Sequence, residues 1–338
     1  MNSETNNPIP VESQTRFNHK ALVTAIQKGE FFKPCPGTTA GYLCCGYEIL
    51  TPLTGCGMYC DYCILQAYFD HRCQVLYENF DDLQEEIDRK LSKRLGVVRI
   101  GTGEFADSLF QEGNLGLCKK IAALLEPYPN VIVEFKSKSA NIDSLKDIKN
   151  PHKVIIGFSM NTPEMIALHE QDTASLKERL IALRRCEDMG FYIGIHFDPL
   201  LWHQGWEAGY RMVVRRIFDT VHNADRIAWW SMGGFRTNPK LKKMLRERNR
   251  HFPLFAQGEM ILGHDGKYRY VRPMRVAFYK ALQEEITAHY PPTPLYLCME
   301  SPEVWEESGM AHRIPQGLVR YLDNRAAVLL GGKQEVFF

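Results

Sequence analysis

Three cysteines, Cys56, Cys60 and Cys63, stand in a C-x3-C-x2-C run that opens on Gly55 and follows the apolar segment 47–53. Thiolate is the soft ligand that iron-sulfur clusters use, and a four-iron cluster has four corners to fill. Three cysteines leave one iron without a protein ligand. An open coordination position is a place for chemistry, by the reasoning that separates catalytic from structural zinc sites. A zinc knuckle is the competing reading. Zinc motifs usually come as two close pairs, and no second C-x2-C or H-x3-H partner follows here.

The chain must supply elements that hold such a loop. Its 338 residues are enough for one large α/β domain with an extension, and 45% hydrophobic with 24% charged residues describe an ordinary globular protein. The formal net charge of +1 means that any polyanion must be met by local patches. Ten cysteines in a chain of this size do not read as a secreted disulfide scaffold. The first residues carry no charged stretch followed by an apolar one, and no run of about eighteen apolar residues occurs. Free thiols and a reducing cytoplasm are expected, and an oxygen-sensitive open cluster argues the same way.

Residues 1–16 are polar and read as a tail. Residues 18–28 suggest a short helix, from His19, Leu22 and Ile26. Residues 31–45 are too rich in Pro and Gly for regular structure. Cys35, Cys44 and Cys45 fall there; adjacent cysteines chelate one metal poorly and no fourth ligand is evident, so packing is the expected role. From Tyr47 onward strands alternate with helices: strands at 47–53, 97–100, 131–135, 154–158, 191–197 and 226–231, helices at 80–95, 115–125, 142–148, 174–189 and 206–221. Such alternation implies βαβ units, a parallel sheet and reactive groups at the carboxyl ends of the strands. Past 235 the pattern changes. Residues 236–250 carry seven basic residues against Glu247 alone, either a phosphate-tracking face or a solvated helix. Residues 266–272 alternate basic and aromatic side chains like an exposed hairpin arm, 276–290 read as a helix, 296–300 as a closing strand and the rest as irregular. Three segments result: an N-terminal tail and arm (1–45), the βα core (46–235) and a C-terminal extension (236–338).

The cysteine run, with the aromatic Tyr62 beside its last member, resembles the cluster motif of the radical S-adenosylmethionine (SAM) enzymes. The resemblance implies a partial (β/α)6 barrel and a 4Fe-4S cluster whose open iron chelates SAM and cleaves it to a 5'-deoxyadenosyl radical. Residues 55–56, 62–63, 65–66, 80–83, 158–161, 203–210 and 266–270 narrow it, in their shared order, to spore photoproduct lyase and its relatives. For those proteins it implies Lys138 on the methionine carboxylate, Ser159 on the same moiety, the backbone near Asp198 facing adenosine, and Glu104 toward the SAM ammonium. It further implies a thymine-dimer lyase acting on DNA, with Lys267, Tyr268, Arg269 and Tyr270 as wedge and stacking surface and 236–250 on phosphates. A reducing donor such as flavodoxin or ferredoxin would supply the electron.

Two positions depart from the family. Its hydrogen-returning cysteine lines up on Glu104, and its tyrosine after the last cluster cysteine is Ile64. Cys118, Cys186, Cys298 or Tyr62 could substitute only if the fold brings them to the site. The alternative is therefore the same radical chemistry on RNA, a peptide or a metabolite; a non-enzymatic metal module is the third reading. His196, on a strand beside Asp198, reads as a buried, satisfied histidine.

Overall fold

The computed structural model describes residues 19–71, 73–248, 253–256 and 258–332. Apolar runs such as Val131–Ser137 and Val154–Ser159 are buried along nearly their whole length. That is the mark of parallel strands covered on both faces. They belong to one eight-stranded sheet whose strands, in chain order, are β1 (Phe32–Pro34), β2 (Glu48–Leu50), β3 (Val98–Gly101), β4 (Val131–Ser137), β5 (Val154–Ser159), β6 (Tyr192–Leu200), β7 (Ile227–Gly234) and β8 (Leu295–Leu297). They lie side by side in that same order, all parallel except β1, which runs antiparallel to β2. The six strands expected from Tyr47 are present. β8 joins β7 through Trp230↔Leu295 as a seventh parallel strand, so the extension contributes to the sheet.

The crossover helices α1 (Phe80–Leu91), α2 (Leu117–Leu125), α3 (Leu176–Asp188) and α4 (Trp206–Thr220) each bury one stripe. α3 starts at a capping box, in which the Ser175 hydroxyl accepts from the Glu178 N–H and the Glu178 carboxylate accepts from the Ser175 N–H. Inside the sheet's concave face Glu134 accepts from Trp229 Nε1 at 3.1 Å and bonds His196 Nε2 at 2.6 Å. Room for that carboxylate comes from two glycines, since a Cβ at Gly157 or Gly194 would lie 2.6 or 2.3 Å from Glu134 Oε1. His196 is thus buried and satisfied.

Three expectations fail. Residues 18–28 are not a helix: Leu22–Ala25 is a strand parallel to Gln74–Tyr77, which also pairs with Leu53–Thr54. Leu22 and Ile26, whose spacing suggested that helix, are exposed. Residues 31–45 contain β1. The tail after 300 is not irregular, for Pro302–Glu307 is helical and a second helix, Leu318–Leu329, packs on the sheet. There Arg325 Nη2 donates to the Ile227 carbonyl at 2.8 Å, and Arg99 Nε to Asp323 at 2.7 Å. Gly309 and Gly317 at positive φ break this region into pieces too short to show a period. The segment 1–16 lies outside the described residues. Among them, no helix is long and apolar enough to cross a membrane.

β1 and β8 are the two edges of the curled sheet. One backbone bridge joins the chain just past each: the Leu43 N–H donates to the Glu300 carbonyl at 2.9 Å.

Candidate active site

The cysteine loop is held by backbone on several sides. Tyr59–Cys60 pairs antiparallel with Glu170–Gln171, and the Asp61 N–H donates to the His169 carbonyl at 2.9 Å. Gln66 Nε2 closes the loop on the Cys60 carbonyl at 2.7 Å. Gly55 has φ +80, and a Cβ there would stand 2.2 Å from the Cys73 carbonyl oxygen. A Cβ at Gly57 would meet the Phe110 ring at 2.0 Å. Cys56, Cys60 and Cys63 are free thiols. Burial pushes all three up from the ordinary thiol range, and their mutual proximity adds to this for Cys56 and Cys60. Lys138 opposes the shift at Cys60 and Cys63, so its ammonium lies within electrostatic reach of both.

These thiols suit an iron-sulfur cluster: they are desolvated, unpaired in disulfides, and Cys56 Sγ accepts a 3.4 Å hydrogen bond from the Met58 N–H. Among the described residues no three His, Cys, Asp or Glu side chains converge as the ligands of one ion must. A cluster makes a different demand, because its corners stand apart.

Lys138 follows β4 and stands 5.8 Å from the Tyr62 ring centroid. Its position is fixed by Asp107, whose Oδ2 accepts the Lys138 N–H at 2.7 Å while Oδ1 accepts Ser137 Oγ at 2.6 Å. Tyr62 donates its O–H to Glu170, which also pairs with Arg179 Nη2 at 2.5 Å. Arg179, fully buried, gives Nη1 to the Ser159 carbonyl at 2.8 Å. Burial works against the Glu170 charge, yet Arg179 and Lys138 hold its carboxyl below the usual range. The Tyr62 phenol is pushed up, by burial first and then by Glu170.

A second set of charges caps the neighbouring strand ends. Glu104 pairs with Lys136 Nζ at 2.5 Å. Burial alone would lower Lys136, but Glu104 and Asp198 raise it above its ordinary value. Asp198 accepts both of its hydrogen bonds from Arg236 Nη2, at 2.9 and 3.0 Å, and Arg236 Nη1 reaches the Cys298 carbonyl at 3.0 Å. Of the thiols considered as substitutes, Cys298 feels the Glu104 charge. Cys118 instead donates to the Ser108 carbonyl at 3.3 Å, and Cys186 is wholly inside the core. Ile64 precedes the short helix Leu65–Tyr68.

The hairpin is less exposed than its alternation suggests. Tyr268–Tyr270 is the central strand of three, between Met260–Leu262 and Arg236–Thr237. Arg269 and Tyr270 are 1% and 0% exposed. Arg269 is held by Asp265 at 2.7 and 3.0 Å, and Tyr270 accepts the Trp202 N–H at 3.1 Å. Those two are therefore framework, which corrects their reading as wedge and stacking groups. Lys267 and Tyr268 remain partly open. The basic segment is a helix, α5 (Pro239–Arg248), and residues 249 and 250 lie outside the described residues. Lys242 Nζ sits 3.7 Å above the Tyr268 ring, and Lys242, Lys243, Arg246 and Tyr268 line a shallow surface groove.

Asp107, Glu170 and Arg179 escaped the sequence reading. Asp107 reaches Lys138 across 31 residues and Glu170 reaches Tyr62 across 108, while Arg179 takes its role from Glu170, and no end of a predicted element stands beside Glu170.

Comparison with known proteins agrees with this architecture. The family model for spore photoproduct lyase matches residues 12–296. Relatives named spore photoproduct lyase come from Clostridium acetobutylicum (25% identical over 213 residues, 62% of this chain and 61% of the relative), Geobacillus sp. (28% over 181 residues, 53% of each) and Bacillus subtilis (23% over 258 residues, 70% and 72%). The chain thus spans about three fifths and half of the length of the first two. Two solved structures share the fold. One is a spore photoproduct lyase double mutant with bound AdoMet and dinucleoside spore photoproduct (20% identity, TM-score 0.72, 82% of both chains), the other a point mutant of a spore photoproduct lyase (19%, 0.73, 88% of both). With its family model matched across most of the chain and its half-barrel shared with those structures, this chain belongs to the spore photoproduct lyase family.

Proposed function

We propose that the chain is a radical SAM lyase that repairs thymine dimers in DNA. Cys56, Cys60 and Cys63 would hold a four-iron cluster. Bound there and reduced by a ferredoxin- or flavodoxin-type donor, such a group would supply reductive cleavage of SAM and, through the 5'-deoxyadenosyl radical, hydrogen abstraction from the substrate. The observation that carries the reading is Lys138, whose backbone N–H is held by Asp107 and whose ammonium lies within electrostatic reach of two of the three thiols.

Lys138 would bind the methionine carboxylate of SAM. Glu104 would accept the SAM ammonium, with its carboxylate oriented by the ion pair to Lys136. Ser159 and the backbone at Asp198 would border the rest of SAM, the latter steadied by Arg236. Tyr62 engages Glu170 and so would form the wall beneath Lys138. Lys242, Lys243 and Arg246 would follow phosphates, with Tyr268 and Lys267 nearest the lesion; extruding a damaged base costs a few kcal/mol, less than for an intact one. Glu104 and Ile64 replace the lyase's cysteine and tyrosine, and this favours the second reading, in which the same radical acts on a non-DNA substrate.

One anaerobic assay separates the readings. Reduced, reconstituted protein is given SAM and an oligonucleotide bearing the spore thymine dimer, and 5'-deoxyadenosine and restored thymine are quantified together. Both products support the lyase; 5'-deoxyadenosine without thymine moves the search to other substrates. Ala at Cys56, Cys60 or Cys63 is expected to abolish 5'-deoxyadenosine formation, and persistence in such a variant would refute the assignment.

A further inference from the structure

The barrel mouth holds a second group of sulfurs that the proposed reaction does not use. Cys35, Cys44 and Cys45 lie on the N-terminal arm, and Cys298 follows β8. The sequence offers no fourth ligand for the arm's three cysteines because that ligand lies at the other edge of the sheet. The Leu43–Glu300 bridge brings the two edges together, and the Cys35 N–H, donating to the Tyr47 carbonyl at 3.0 Å, continues the β1–β2 ladder and fixes Cys35 at the first of them. A Cβ on Gly37 would stand 3.4 Å from Cys35 Sγ and 3.1 Å from the Sδ of Met299, the residue after Cys298. The Cys44 and Cys45 thiols are chain neighbours within electrostatic reach of each other. Cys35 lies within electrostatic reach of Cys44 and Cys298, and Cys298 within reach of Cys45.

We propose that Cys35, Cys44, Cys45 and Cys298 are a second iron-sulfur site, seating a cluster with a protein ligand at every corner. Three features of the setting fit. The first is hydrogen bonding to sulfur: the Gly37 N–H reaches Cys35 Sγ at 3.4 Å, the Gly46 N–H reaches Cys44 Sγ at 3.4 Å, and Thr38 Oγ1 stands 2.9 Å from Cys44 Sγ. Such bonds tune cluster ligands. The second is charge. Four thiolates leave the assembly negative, and cations face it from each adjoining element: Arg99 beside Cys44 and Cys45, Arg236 beside Cys298, Lys136 beside Cys35. Glu104 and Asp198 are the opposing carboxylates, and each is already paired, with Lys136 and Arg236 respectively. The third is spacing. Neighbouring cysteines cannot both reach one ion well, but they can take two corners of a cluster. The four sulfurs do not converge as one ion's ligands would, and neither do Cys56, Cys60 and Cys63.

With no open iron, this site would carry electrons or brace the arm, not bind substrate. Lys136 borders Cys35, and Lys138, two residues on, borders Cys60 and Cys63. The two sites therefore flank one strand end, and the second stands where an electron could pass to the first. That role rests on the proposed radical chemistry; the site itself does not.

The test is iron and sulfide content per chain, with low-temperature electron paramagnetic resonance, after anaerobic reconstitution of the full-length protein. The wild type is expected to hold about eight irons, and the Cys56→Ala/Cys60→Ala/Cys63→Ala variant about four, with its own signal on reduction. Cys298→Ala, and independently the half-exposed Cys44→Ala, should each lose about four while keeping the circular dichroism of the wild type. About four irons in the wild type and none in the triple variant would overturn the proposal. So would Cys298→Ala with full iron but no restored thymine, a result that makes Cys298 the hydrogen donor. About eight irons without 5'-deoxyadenosine from SAM would sink the radical SAM reading and leave the second site standing.

Discussion

Two residues separate binding from architecture at this site. Lys138→Met removes a charge and keeps the stem. It should raise the SAM concentration needed for half-maximal 5'-deoxyadenosine formation by about tenfold or more, since a charge-assisted hydrogen bond is worth about 1.5–3 kcal/mol. Equilibrium binding of SAM measures this directly; unchanged affinity would remove Lys138 from the SAM site. Glu170→Gln should act on stability instead. The folded Glu170 carboxyl sits below its ordinary 4.5, so its contribution is fully present above that value and is lost as pH falls through the depressed one. At neutral pH the variant strands the fully buried Arg179 and should cost about 3–5 kcal/mol in denaturant melts. Below the ordinary carboxyl value the gap to wild type should narrow. A constant gap would mean that Glu170 is not charged in the fold. Cys56, Cys60, Cys63 and Lys138 could be named from the chain because local spacing or a strand end marks them. Glu170 and Arg179 could not, since their roles appear only when residues 60 and 170 become strand neighbours.

At the scale of elements, the cysteine loop depends on two glycines more than on any propensity. Gly55→Ala puts a Cβ against the Cys73 carbonyl in a backbone with φ +80. Gly116→Ala, at φ +57 with nothing within 4 Å, meets only the left-handed backbone cost of about 1 kcal/mol. The first variant should lose much of its iron on reconstitution and the second should keep it; equal iron in both would mean that the loop is not braced at Cys73. The parallel strands were legible because burial on both faces writes continuous apolar runs. Leu22–Ala25 was not, since a half-exposed four-residue strand and a helix end have similar patterns. Arg269 and Tyr270 misled for a related reason: alternation marks a strand but does not say that both its faces are packed, here with Arg269 on Tyr42 and Asp265 and Tyr270 against Phe235 and Phe278.

Across the whole molecule, near-neutral net charge hides a polarised surface. If the groove beside α5 follows phosphates, replacing Lys242, Lys243 and Arg246 with alanine should flatten the plot of log affinity for duplex DNA against log salt by about 2–3. An unchanged slope would move the nucleic-acid face elsewhere. The Leu43–Glu300 bridge carries a consequence in time. A chain leaving the ribosome can order β1 to β7 progressively, but the stretch around Leu43, between β1 and β2, lacks its Glu300 partner until residue 300 has been made. Contacts of such separation close late and slow the search. That stretch should therefore be the last part of the arm to resist protease during refolding, leaving its neighbours Cys44 and Cys45 accessible to incoming iron and sulfide until synthesis is nearly complete.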